Sequence, residues 1–167
     1  MFLMSNQTVK NPSVLPTFSA TPELREALQR ALVDVTALSL VGKQIHWNVV
    51  GPGFRDIHLN LDDVVAIARQ ASDDFAERLR AVGAVPDGRP STIASTTSVP
   101  AAAEDTILVP DAVDYTVNAI NAVVSTLREI HKVVDETDPM SSSLLEDYTL
   151  KLEQQSWFLS SQNYAAK

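Results

Sequence analysis

At 167 residues, 45% of them hydrophobic and 20% charged, the chain has the length and composition of one ordinary globular domain with a core of its own. It contains no cysteine, which excludes disulfides, zinc ribbons and thiol nucleophiles and leaves any metal to nitrogen and oxygen ligands, a set that suits iron, manganese or zinc. A formal net charge of −8 argues against a strong electrostatic grip on nucleic acid by the body of the protein and favours cations.

The opening MFLMSNQ lacks the basic region and apolar run of a signal peptide, and no apolar run approaches membrane-spanning length, so a cytoplasmic protein is expected. Residues 1–20 hold two prolines, several Ser, Thr and Asn residues and a single base, Lys10, and read as an irregular tail. Thr21-Pro22-Glu23 is a helix start: a capping hydroxyl, proline at the first helical position and an acid in the first turn. From there Leu24, Leu28, Ala31, Val35, Leu38, Gly42 and Ile45 step by three or four, which predicts a first helix over about 22–50, stopped by Gly51-Pro52-Gly53. His46 lies beside its buried stripe.

A second helix is predicted over about 55–83, with Ile57, Leu61, Val64, Ala68, Ala71, Phe75, Leu79 and Val82 inward. His58 and Asp62 are an i,i+4 pair on its flank, Asp73 and Glu77 are another, and the pairs share one side of the helix. Fifteen residues of helical rise separate His58 from Asp73 by about 22 Å. That is far beyond the reach of ligands sharing one metal through bonds of roughly 2 Å. The pairs can meet if the helix packs antiparallel against its own copy across a two-fold axis. Glu-x-x-His, which di-iron bundles within one chain usually use, is absent.

Residues 86–110 form a long Pro-, Ser-, Thr- and Ala-rich connection, with a helical turn expected near Ala101 to Asp105, and its length lets a third helix run parallel to the second. That third helix, about 111–135, carries Val113, Val117, Ile120, Val124, Leu127 and Val134 in register, with His131 on the same stripe read as structural. Asp135, Glu136 and Asp138 crowd its C-terminal end, where the helix dipole disfavours acids; they read either as a solvated turn or as a cation-gathering patch together with Glu146 and Asp147. A fourth helix opens at Ser141–Ser143, turns Leu144, Leu145, Tyr148, Leu152, Gln155 and Leu159 inward and ends near Asn163, leaving residues 164–167 as a short tail. Trp47 and Trp157, taken as residues alone, read as core aromatics. The domain is thus set at 21–163, all-α.

The stretches HWNVVGPGF, IHLNLDD and SDDFAER resemble the signature of the Dps family, the ferritin-like DNA-binding proteins of starved bacterial cells. The resemblance implies a ferritin-like four-helix bundle assembled as a hollow homododecamer. It places ferroxidase ligands on His46, His58 and Asp62 of one subunit and on Asp73 and Glu77 of its two-fold neighbour. It also implies oxidation of Fe(II), typically by hydrogen peroxide, storage of ferric mineral in the cavity, and protection against oxidative stress. Asp135, Glu136, Asp138, Glu146 and Asp147 would line a three-fold iron pore, and Trp47 and Trp157 would absorb stray oxidising equivalents. The tails depart from members that bind DNA tightly, since Lys10 and Lys167 are their only bases, and DNA binding does not follow for this chain. Two alternatives stand beside the ferroxidase: a nucleoid protein coating DNA, and a zinc-assisted hydrolase on the same shell.

Overall fold

The structure, a computed structural model, describes residues 17–164; the tails expected before residue 17 and over residues 165–167 lie outside the described residues. Five helices and one pair of two-residue strands follow in the order α1 (Pro22–Asn48), β1 (Val49–Val50), α2 (Phe54–Ala81), α3 (Pro90–Thr96), β2 (Ile107–Leu108), α4 (Val109–Thr137) and α5 (Pro139–Ser160), closed by a 3₁₀ turn at Ser161–Asn163. Thr21 caps α1 as its sequence predicts: its hydroxyl accepts the Leu24 N–H at 3.2 Å, with Pro22 in the first turn. Ala20 is buried, and its N–H bonds the Val82 carbonyl at 2.9 Å, tying the start of α1 to the end of α2.

Helices α1 and α2 form an antiparallel hairpin about Gly51–Gly53, and Gly53 takes a left-handed φ of 80° that suits glycine. They approach closely at Gly42, where a Cβ would meet Val65 Cγ2 at 2.8 Å. Helix α4 runs antiparallel to α1, as the pairs Arg30–Glu129 and Asp34–Thr126 show, and therefore parallel to α2. Arg78 near the end of α2 accordingly meets Asp138 just past the end of α4. Helix α5 returns antiparallel to both. Leu28, Leu38, Ile57, Leu61, Phe75, Ile120, Leu127, Leu145 and Tyr148 fill the space between the four long helices.

The crossover corrects two expectations. Its helical segment is α3, not Ala101–Asp105, which is irregular chain in which Ala102 and Ala103 pack against the core. Asp87 starts α3 by accepting the Arg89 N–H at 3.1 Å and the Thr92 hydroxyl at 2.8 Å, with Pro90 at the first helical position. After α3 the chain is pinned by Asp34, a buried carboxylate that accepts from Thr97 Oγ1, Ser98 N, Ser98 Oγ and Thr126 Oγ1 at 2.6–2.8 Å. Four donors satisfy a charge that would otherwise be costly to bury. The crossover then adds β2 in parallel to β1, Val49 opposite Ile107 and Val50 opposite Leu108, so that α1 ends at Asn48 rather than running to residue 50. No helix among the described residues is long and apolar enough to cross a membrane.

Candidate metal centre

His46, in the last turn of α1, and His58, in the second turn of α2, face each other across the hairpin. Their rings stack with centroids 3.7 Å apart and planes 26° apart. Each Nδ1 reaches the other residue's backbone carbonyl, His46 Nδ1 to His58 O at 3.1 Å and His58 Nδ1 to His46 O at 3.2 Å. A carbonyl only accepts, so both Nδ1 atoms carry the proton, and both Nε2 lone pairs are left free for a metal. Such bonds to the far ring nitrogen orient an imidazole and raise its basicity as a ligand. Asp62, one turn after His58, completes the group: one ligand atom from each of the three residues lies within 4.8 Å of the others.

Lys43, one turn before His46, places Nζ 2.5 Å from Asp62 Oδ1, and that oxygen is 3.4 Å from His46 Nδ1. A cation therefore already sits against the carboxylate. The Lys43 hydrogen bond holds the Asp62 carboxyl below its usual range, with smaller help from the nearby imidazoles. Burial lowers the pKa of His46, and His58 and Lys43 add to that effect against the opposing pull of Asp62. Burial thus favours the neutral form of His46, the form in which it can ligate.

The other two expected ligands stand apart. Asp73 and Glu77 are exposed on the far part of α2, about 22 Å along the helix from His58 by helical rise. Among the described residues, neither makes a side-chain hydrogen bond or ion pair. The structure thus brings together three of the five within one chain. Their immediate neighbours, in contrast, are engaged. Asp74 accepts from the Tyr148 hydroxyl, and from Gln70 Nε2 at 3.0 Å. Arg78 donates to Asp138 Oδ2 at 2.6 Å and to Ser141 Oγ at 2.8 Å.

Among the acids of the α4–α5 turn, Asp138 departs from the expected solvated or pore-lining role. It is buried, paired with Arg78 and bonded by Ser141 Oγ at 2.5 Å. Burial raises its pKa, but the Arg78 and Ser141 hydrogen bonds outweigh that and hold it below the usual carboxylate value. Asp135 and Glu136 are exposed, as are Glu146 and Asp147, but Glu146 meets His131 Nε2 at 2.8 Å, Asp147 meets Lys151 at 2.5 Å, and Glu136 has Lys132 at 3.9 Å. His131 is not a core histidine: it is half-buried at the surface between Glu146 and Ser142. Trp47 and Trp157 likewise lie outside the core, 71% and 63% exposed. Lys43, Tyr148 and Arg78 escaped the sequence reading as parts of this region. Only Lys43 carried a signal there, as a base one turn before His46 on the same helix.

Comparison with known proteins supplies the family. The ferritin-like domain profile matches residues 25–164. A DNA protection during starvation protein of Halobacterium salinarum is 40% identical over 80 residues, 48% of this chain and 44% of that protein. The solved Dps of Microbacterium arborescens in its high iron form superposes with a TM-score of 0.77 at 33% identity, covering 87% of this chain and 98% of that one. The chain belongs to the Dps branch of the ferritin-like family. Dps chains are not the only relatives: the fine tangled pili major subunit of Haemophilus ducreyi is 35% identical over 136 residues, 81% of this chain and 72% of that protein. The chain spans less than half the length of the Halobacterium Dps it matches.

Proposed function

We propose that this Dps protein oxidises Fe(II) at centres shared between two-fold-related subunits of a hollow dodecamer, and stores the ferric product inside. The observation that carries the reading is the His46–His58–Asp62 group, in which one possible ligand atom from each residue lies within 4.8 Å of the others. Two imidazole nitrogens and one carboxylate suit a divalent transition ion at moderate affinity. An arriving Fe(II) meets Asp62 already neutralised by Lys43 and displaces the ammonium, so the pocket need not hold an uncompensated charge before iron binds. Asp73 and Glu77 of the neighbour, which have no side-chain partner among the described residues of their own chain, supply the remaining carboxylates. These hard oxygen ligands favour the ferric product over the ferrous substrate and so lower the barrier to electron loss.

Peroxide takes up two electrons on reduction to water, so one turnover consumes two ferrous ions and releases no one-electron oxygen radical. Exposed apolar side chains support a two-fold neighbour at this face. Helix α1 exposes Leu40 and Trp47 seven residues apart, and α2 exposes Leu59 beside His58. In this reading Trp47, next to His46, donates an electron when only one ferrous ion is available, and Trp157 lies on α5 near the same end of the bundle. Ferrous oxidation measured in parallel with peroxide and with dioxygen, followed by separation of the protein from free iron, tests the reading. Rapid consumption of peroxide with iron retained in the shell is expected. Zinc carried through purification with no ferrous oxidation would transfer the site to hydrolysis.

A further inference from the structure

In SDDFAER the two carboxylates assigned to the shared centre, Asp73 and Glu77, are each followed directly by another charged residue, Asp74 and Arg78. One residue is 100° of helix, so the two i,i+4 pairs form adjacent stripes on α2. On an isolated helix Asp74 and Arg78 would pair with each other. Here they do not. Asp74 accepts from Tyr148 of α5, and Arg78 reaches Asp138 and Ser141 where α5 begins.

Tyr148 is 2% exposed and packs on Phe75 with ring centroids 5.7 Å apart, so its hydroxyl cannot swing away. Lys151 lies 5.0 Å from the ring centre, with its own charge held by Asp147. Two directional bonds on successive turns thus fix the rotation of α2 about its axis at the turn that carries the ligands. The sensitivity is high: with side chains extending roughly 6 Å from the helix axis, a rotation of about 10° moves a carboxylate about 1 Å. That is about half a metal–oxygen bond length. Apolar packing of Phe75 and Leu79 alone lacks this directional restraint.

We propose that Tyr148 is a positioning residue for the carboxylate half of the centre, acting through Asp74 and seconded by the Arg78 tether, so that Asp73 and Glu77 face the neighbouring subunit unpaired. This rests on the ferroxidase reading above. The test uses Tyr148→Phe in the assembled, full-length protein, which removes one hydroxyl and keeps the ring. Zinc(II), which cannot be oxidised, serves as the probe in calorimetric titration, and ferrous oxidation is followed beside it. Tyr148→Phe is expected to weaken zinc binding about ten-fold and to raise KM for Fe(II) with kcat near the parent value.

Asp73→Ala identifies which zinc binding belongs to the centre. If Asp73→Ala leaves zinc binding and ferrous oxidation unchanged, the ferroxidase reading falls and takes the inference with it. If Asp73→Ala abolishes both while Tyr148→Phe loses only thermal stability, the ferroxidase reading stands and the positioning role is overturned. Should Tyr148→Phe fail to assemble, Ser141→Ala loosens the other tether at lower structural cost. The same weakening is expected there, and parent affinity in an assembled Ser141→Ala protein overturns the proposal.

Discussion

A pair of exposed acids on a helix ordinarily contributes little, and among the described residues no side-chain hydrogen bond or ion pair gives Asp73 or Glu77 a structural role. Their substitution therefore separates activity from folding. Asp73→Ala or Glu77→Ala should slow ferrous oxidation at least about ten-fold, since each removes a ligand, where loss of a mere supporting bond already costs that much. Thermal stability should stay within about 0.5 kcal/mol of the parent, as for ordinary surface changes. Stopped-flow oxidation together with a melting curve checks both halves. Asp138 is the opposite case, an acid whose value is structural. Asp138→Asn removes the charged partner of Arg78 and should cost about 1–3 kcal/mol, read as a fall of several degrees in Tm. The sign of its pH dependence follows from its lowered pKa. The folded value lies below the ordinary 3.8, so the stabilisation is complete above about pH 4 and is lost as pH falls through the folded value. In the Asn variant that part of the acid transition should disappear.

The four long helices were legible because their apolar residues recur at three and four, and because Thr21-Pro22 and Gly51-Pro52-Gly53 mark ends of the first. The His58–Asp62 and Asp73–Glu77 pairs were legible for the same reason, since helical spacing fixes which charges share a face. Long-range pairing was not. The two-residue strands β1 and β2 are too short to show a period, and they form only because the crossover returns past the end of α1. The α3 turn was signalled by Asp87 and Pro90 rather than by the alanines at 101–103, whose helix propensity gave way to packing against the core. Asp138 and His131 changed character through partners in other elements, Arg78 for the first and Glu146 for the second, and periodicity carries no information about such partners. Trp47 and Trp157 read as core by type but sit at the surface, as suits residues covered by a neighbouring subunit rather than by their own chain.

Assembly gives the remaining acids a different weight. Asp135 and Glu136 end α4 against its dipole, at a local cost of about 0.3–1 kcal/mol each. Three copies around an axis would make a negative funnel able to raise cation capture by roughly 10- to 1000-fold. Asp138 is excluded from that role by its bond to Arg78. Asp135→Asn with Glu136→Gln should therefore slow iron uptake at low ionic strength and leave Tm equal or slightly raised. The difference from the parent should shrink as salt screens the field. Uptake at the parent rate in low salt would return these acids to a solvated turn.

The proposed division of one centre between two copies rests on a length, about 22 Å between the two halves on a single helix. Mixing subunits measures it. His58→Ala and Glu77→Ala proteins, each inactive alone, are unfolded and reassembled together at equal concentration, with exchange verified by mass. A mixed dimer carries both lesions in one of its two centres and none in the other, so random pairing restores about a quarter of the parent centres. Ferrous oxidation by peroxide should recover to about that fraction. Activity that stays at the level of the separate variants, in a sample shown to be mixed, would contradict a centre shared across the two-fold axis.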